Sequence, residues 1–344
     1  MSASPAFAPS PRARLLRAID SLLSPRPAPV ATGPLVHDRL APWLGVLRRL
    51  RQLTAPKQPS AQQMRAQFRK DMASLRVGLP IGTVKDQIIG TEAGPLPARL
   101  YRPQQASEGG TLLVFFHGGG YIMGDLDTHD DACRLLCEAS GMPVLAVAYR
   151  LAPEHPFPAA FKDGVAAVRW AQGQLARWGV SGLAVGGDSA GGNLAAAVAL
   201  ACAKEGVALR GQLLIYPGTD RTQQRPSYSA FGAGYFLNRV DRELFYGSYL
   251  QHNPAHDHDW RVSPLLSAVP ATLAPALVVT AGYDMLRDEG QAYAAHLQAG
   301  GCPTTLLHYP RLGHAFINFV GVHRESHAAV SELAQRWRQV VQGT

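Results

Sequence analysis

Ser189 stands in Val185-Gly-Gly-Asp-Ser-Ala-Gly-Gly-Asn-Leu194, where an apolar run meets a serine flanked by glycines and then an alanine-rich stretch. A serine in G-x-S-x-G between strand and helix sits on a sharp turn that lifts its hydroxyl clear of the backbone. Gly187 and Gly191 remove the Cβ atoms that would clash at that turn. A serine hydroxyl is a poor nucleophile near neutral pH, so it needs an imidazole beside it. That imidazole needs a carboxylate to fix its tautomer and to stabilise its charged form. Asp284 follows the apolar run Leu277-Val-Val-Thr-Ala-Gly-Tyr, and His314 follows in Leu312-Gly-His-Ala-Phe. Asp288 competes with Asp284 for the carboxylate role, but it already enters the next helical stretch, whereas Asp284 sits at the strand end. Among twelve histidines, His314 is singled out by its place beyond the last strand, next to a glycine that permits a tight loop. His296 and His308 fall within regular elements and read as structural; His252, His256 and His258 form a weak metal alternative.

His117-Gly118-Gly119-Gly120 follows another apolar run, Leu112–Phe116. Acyl transfer passes through a tetrahedral oxyanion, and backbone N–H donors must reach it closely; losing one such donor typically costs about 3–4 kcal/mol. Three consecutive glycines let the backbone approach a ligand with no side chain in the way. With the N–H of Ala190 they make a three-donor hole, and His117 reads as a brace for the loop rather than a base. Ser, then Asp, then His is the chain order of α/β-hydrolase triads. All three would emerge past the carboxyl ends of neighbouring strands, where α/β proteins place their sites.

The elements that must position these residues are legible from residue 83 onward. Strands are expected at Val84–Ile89, Ala98–Arg102, Leu112–Phe116, Val144–Tyr149, Leu183–Gly186, Gln212–Tyr216, Ala276–Ala281 and Thr305–Tyr309. Helices are expected at Asp131–Ser140, Phe161–Gln174, Asn193–Glu205 and Glu289–Ala299. Strands that are continuous apolar runs belong to a sheet covered on both faces. The expected fold is therefore α/β: an open, eight-stranded, mostly parallel sheet with an antiparallel strand near its start. Residues 218–262 interrupt the alternation and carry Phe231, Tyr235, Phe236, Phe245, Tyr246 and Tyr249, which reads as a lid. Upstream, residues 1–33 read as a loosely ordered leader with a short amphipathic piece over Arg12–Leu23. Two helical patterns follow, Leu40–Leu50 and Met64–Leu75. The domain reading is a leader over 1–33, N-terminal cap helices over 34–82, and a catalytic domain over 83–344.

Of the 344 residues, 47% are apolar and 17% charged, the balance of a globular protein with a sizeable core. The net charge of +8 is unevenly placed: residues 1–80 hold 13 Lys/Arg against 3 Asp/Glu, and the remaining 264 hold 20 against 22. A basic leader could touch membrane phosphates or acidic partners, but it reads more simply as a solvated Arg-rich face, and no nucleic-acid-reading motif accompanies it. No apolar run approaches the roughly 20 residues that span a bilayer. The N-terminus lacks the apolar core of a secretory signal, so a cytoplasmic setting and no stable membrane insertion are expected. Cys133, Cys137, Cys202 and Cys302 form no metal signature and read as reduced and buried.

Taken together, the motifs resemble those of the bacterial hormone-sensitive lipase (type IV) esterase family. They are His117-Gly-Gly-Gly120, Tyr149-Arg-Leu-Ala-Pro-Glu-His-Pro-Phe-Pro-Ala-Ala160, Gly187-Asp-Ser-Ala-Gly-Gly192, Asp284-Met-Leu-Arg-Asp-Glu-Gly290 and His314-Ala-Phe316. The resemblance runs from about residue 83 to the C-terminus. It implies an α/β-hydrolase fold with a helical cap built from the N-terminal segment and an insertion after the sixth strand. It also implies hydrolysis of short- to medium-chain acyl esters with no metal or cofactor. Carried over, Ser189 is the nucleophile, His314 the base and Asp284 its orienter. Gly119, Gly120 and the Ala190 N–H form the oxyanion hole, with Gly118 supporting the turn. Met285 stands where the family usually has proline. Members of the family often dimerise through the last strand. The substrate cavity is expected to draw on Met123, Asp188, Phe231, Tyr235, Phe236 and Leu286. The same machinery would also serve an amidase, a deacetylase or a lipase. A non-catalytic small-molecule receptor of this fold is disfavoured by the presence of His314.

Overall fold

Along Leu112–Phe116 the side chains divide by period two, Leu112, Val114 and Phe116 entering one apolar cluster and Leu113 and Phe115 another. An uninterrupted apolar run is the consequence: both faces of this strand are covered, so no position needs to be polar. The computed structural model describes residues 9–23, 59–105 and 110–343. All eight expected strands are present: β1 (Thr83–Thr91), β2 (Gly94–Arg102), β3 (Gly110–Phe116), β4 (Val144–Val147), β5 (Val180–Asp188), β6 (Gln212–Ile215), β7 (Ala276–Tyr283) and β8 (Thr304–Gly313). They form one sheet in the order β1-β2-β4-β3-β5-β6-β7-β8. β2 runs antiparallel to both β1 and β4, and every pairing from β4 to β8 is parallel.

Ten α-helices are described: α1 (Pro11–Leu23), α2 (Ala61–Leu75), α3 (Asp130–Ser140), α4 (Ala159–Gln172), α5 (Leu175–Trp178), α6 (Ala190–Lys204), α7 (Pro226–Phe231), α8 (Arg239–Leu250), α9 (Arg287–Ala299) and α10 (Arg324–Gln342). α6 is buried from Ala190 through Cys202, and its run of alanines and glycines lets it lie close against the strands. α10 has no counterpart among the sequence expectations, although Val330, Leu333, Ala334 and Trp337 repeat at helical spacing and all four are buried.

The pattern Met64–Leu75 is realised as α2, started by a capping box in which Ser60 and Gln63 exchange side-chain-to-backbone hydrogen bonds. The amphipathic piece of the leader is realised as α1, which buries Ala13 and Leu16 against Met72, Leu75, Phe319 and Val322. The expected helix over Leu40–Leu50 lies outside the described residues. Between β6 and β7, residues 218–262 hold α7, α8 and a short 3-10 turn over Pro254–His258. Asn193 of α6 ties the two ends of this stretch together. Its amide donates to the carbonyls of Gly218 and Val262, both at 2.7 Å, and its Oδ1 accepts from the Tyr121 hydroxyl at 2.6 Å.

Candidate active site

β5 stops at Asp188 and α6 starts at Ala190, leaving Ser189 alone to make the turn with φ 54° and ψ −119°. A non-glycine residue at positive φ is strained by about 1–3 kcal/mol, so its surroundings must hold it there. They do: the Ser189 N–H donates to the Ile215 carbonyl at 2.9 Å, and the Ser189 carbonyl accepts from the Asn193 N–H at 3.0 Å. Gly191 is obligatory for a different reason, since a Cβ there would lie 2.0 Å from the Phe116 carbonyl oxygen. Helix and strand can approach this closely only without a side chain.

β7 delivers Asp284 and β8 delivers His314 to the same rim. His314 Nε2 lies 2.8 Å from Ser189 Oγ, and His314 Nδ1 lies 2.7 Å from Asp284 Oδ2. A carboxylate accepts, so Nδ1 carries the proton and Nε2 presents a lone pair to the serine hydroxyl. Asp284 is only 1% exposed, and its second oxygen accepts from the Leu286 N–H at 2.8 Å. The Tyr216 ring packs against the imidazole at 4.7 Å. Asp288, the competing carboxylate, faces elsewhere. It accepts from the Ser227 N–H at 2.8 Å and from Arg287 at 2.7 Å, pinning α7 to α9. His296 and His308 are also engaged within the fold, on the Ser267 carbonyl and the Thr280 hydroxyl. Among the described residues no group of three His, Cys, Asp or Glu side chains converges as a metal site, the histidines at 252, 256 and 258 included.

Gly119 and Gly120 have φ of 117° and 62°, both in the region that favours glycine. The Gly119 carbonyl accepts from the N–H groups of Ile122 and Met123 at 3.2 and 3.0 Å, closing a tight turn. Among the described residues no acceptor meets the N–H groups of Gly119, Gly120 and Ala190. Gly118 differs: its N–H donates to Asp188 Oδ1 at 2.7 Å, so it braces the loop and is no donor to a ligand. The same contact corrects the expected place of Asp188 in the substrate cavity. Its carboxylate is 2% exposed, and its other oxygen meets the Tyr216 hydroxyl at 3.4 Å. It faces inward, tying β5 to the glycine loop. His117 is a second brace. Its Nδ1–H donates to the Gly118 carbonyl at 2.8 Å, and its ring stacks on Tyr149 at 4.4 Å. Burial, and then the nearby His129, push its pKa down to about 4, so the ring is neutral at ordinary pH.

The expected cavity residues fall into separate apolar groups. Met123 packs with Met64, Ile122 and Phe245, and the Phe245 ring lies so close that a Cβ on Gly120 would be 2.2 Å from it. Leu286 packs with Tyr228 and Met285, with Phe231 at the edge of the group. Tyr235 stacks on Tyr283 at 5.8 Å and meets Phe231 edge-on at 5.2 Å. Phe236 packs instead against Phe319, in the group that holds Ala13 and Leu16 of α1. Met285, in the usual proline position, is buried, and its carbonyl accepts from the Ser227 hydroxyl at 2.9 Å. Phe245 beside the glycine loop was legible only as one aromatic among many. Arg65 of α2, which reaches the loops around the site, carried no motif at all.

A family model described as alpha/beta hydrolase fold matches residues 113–318. The chain is 44% identical over 266 residues to the carboxylic ester hydrolase LipN of Mycobacterium tuberculosis, covering 74% of this chain and 70% of that protein. It is 41% identical over 263 residues to an ethyl acetate hydrolase of Pseudomonas putida, covering 74% and 82%. Among solved structures, the esterase of Pyrobaculum calidifontis superposes with a TM-score of 0.78 at 35% identity, covering 86% of this chain and 97% of that one. An ester hydrolase from the metagenome of Lake Arreo, solved with a bipyridine phosphonate derivative, superposes with a TM-score of 0.81 at 35% identity, covering 88% and 98%.

Proposed function

This chain belongs to the α/β-hydrolase fold family, in its hormone-sensitive-lipase-like branch, and on that premise we propose that it is a serine carboxylesterase acting on short- to medium-chain acyl esters. The reading is carried by one observation: a single imidazole bridges a strained serine and a buried carboxylate at 2.8 and 2.7 Å. Ser189 Oγ attacks the ester carbonyl while His314 Nε2 takes its proton. The carbonyl electron pair moves onto oxygen, where the N–H groups of Gly119, Gly120 and Ala190 receive it. The tetrahedral intermediate collapses, the C–O bond to the alcohol breaks, and the imidazolium gives its proton to the departing oxygen. Water then attacks the acyl-serine with His314 again as base, releasing the acid and restoring the hydroxyl. Asp284 holds the tautomer throughout.

A cytoplasmic setting goes with this reading, supported by four buried free thiols. No described helix is long and apolar enough to cross a membrane. The test is Ser189→Ala assayed on p-nitrophenyl esters of increasing acyl length. The expected result is a loss of kcat of at least about 10³-fold with the fold intact. Turnover retained in that variant would refute the mechanism.

A further inference from the structure

α2 precedes the stretch that carries the family motifs, yet its Arg65 penetrates the loops around the site. Its Nε–H donates to the Ile122 carbonyl at 2.6 Å, and Nη2 donates to the Ala152 carbonyl at 2.7 Å. The two terminal nitrogens also hold the Glu154 carboxylate at 2.8 and 2.5 Å. The two loops it grips are joined directly by Ala152 N–H donating to the Tyr121 carbonyl at 2.9 Å.

What matters is where the Ile122 carbonyl leads. It shares a peptide unit with the Met123 N–H, which donates to the Gly119 carbonyl at 3.0 Å. The Gly119 carbonyl in turn shares a peptide unit with the Gly120 N–H. Guanidinium, first amide and second amide therefore stand head to tail, and the chain ends at the Gly120 N–H. Hydrogen-bonded amides in such a chain polarise one another, and a charged donor at its head strengthens the effect. We propose that Arg65 is a positioning residue that polarises the oxyanion hole through these two peptide units, making the Gly120 N–H a stronger donor to the developing oxyanion. The proposal rests on the reading of Gly120 as an oxyanion donor.

The counter-charge does not cancel it. The Glu154 side chain is 52% exposed against 20% for Arg65, so solvent screens the carboxylate side more than the carbonyl side. The fork also holds the Glu154 carboxyl down at about 2, so the anchor stays ionised over the working range.

Four variants of the full chain separate polarisation from bracing. Arg65→Met removes charge and donors, Arg65→Gln keeps amide donors without charge, Arg65→Lys keeps charge without the fork, and Glu154→Gln breaks the ion pair while leaving the guanidinium. Each is measured for kcat and KM on p-nitrophenyl butyrate, for inhibition by an alkyl trifluoromethyl ketone, which forms a tetrahedral oxyanion on the serine, and for thermal unfolding. Arg65→Met and Arg65→Gln are expected to lose about tenfold or more in kcat, with KM within about twofold and ketone affinity falling in step. Arg65→Lys is expected between them and the native enzyme, and Glu154→Gln near native kcat. Folded Arg65→Gln and Arg65→Met with native kcat and native ketone affinity would overturn the proposal. So would Glu154→Gln failing as badly as Arg65→Met, the signature of a mere brace. If the ketone does not inhibit the native enzyme, the oxyanion reading falls and this inference with it. Native inhibition alongside an indifferent Arg65→Gln defeats this inference alone.

Discussion

His117 and His314 are both buried imidazoles beside the same serine turn, and what each can do is decided by its partners. His314 has a carboxylate on Nδ1 and the serine hydroxyl on Nε2, so it can accept a proton and hold the resulting charge. His117 has a carbonyl on Nδ1 and a tyrosine ring on its face, with burial holding its pKa down at about 4. Because that value lies below the unfolded 6.5, the unfolded chain takes up this proton first as pH falls. Its neutral burial therefore costs stability progressively between 6.5 and about 4, and nothing above. A loss of rate above about pH 4 is therefore not expected to come from protonation of His117. His117→Asn, which can still donate to the Gly118 carbonyl, is expected to lower kcat while leaving the midpoint of the acid limb of kcat/KM in place. A displaced acid limb in that variant would count against this division of roles. That Ser189, Asp284 and His314 would come together was readable because each falls at a strand end inside a short motif. Asp188 was misplaced because its partner, the Gly118 N–H, is 70 residues away, and no local spacing announces such a contact.

At the scale of elements, the central strands were legible because two-sided burial writes itself as continuous apolar runs; strand limits shifted by a few residues at several ends, and at β7 and β8 the extension reaches the site. β7 extends to Tyr283 and β8 to Gly313, one residue short of Asp284 and His314 respectively. How the stretch between β6 and β7 attaches was not legible, since it rests on single polar side chains. Besides Asn193, the attachment uses Glu289 at the start of α9. Glu289 accepts from the Thr219 N–H at 2.7 Å and pairs with Arg242 of α8 at 3.2 Å. Burial raises its pKa to about 7, with Arg242 pulling the other way and Asp220 adding to the rise. The folded protein thus holds this proton more tightly than the unfolded chain. Its contribution is intact below the unfolded value of 4.5 and is lost as pH climbs toward 7, at about 1.4 kcal/mol per unit of displacement. Glu289→Gln carries no such proton. Urea midpoints taken from pH 4.5 to 7.5 should therefore show the native chain losing ground relative to the variant as pH rises. Parallel curves would contradict the assignment.

For the whole molecule, the charge imbalance acquires a simple meaning. Arg65 and Arg69 of α2 pair with Glu154 and Asp125, and Arg76, just past its end, lies 3.6 Å from both Asp127 and Asp130. Part of the basic N-terminal segment is thus answered by carboxylates of the sheet domain, close to the glycine loop. Each exposed pair is worth little on its own, about 0–1 kcal/mol, and adds to the seating that α2 gains by burying Met64, Met72 and Leu75. Composition could show the surplus and not its destination, because pairing across 51 to 89 residues follows from the fold alone. The central claim is that the esterase works through an acyl-enzyme on Ser189, and covalent trapping tests it most directly. The native chain would be treated with a p-nitrophenyl alkylphosphonate, then weighed intact and mapped by peptide mass. A single phosphonyl group is expected on Ser189, with activity lost in proportion to its formation and no adduct on Ser189→Ala. An adduct on a different residue, or full activity in a completely phosphonylated chain, would contradict it.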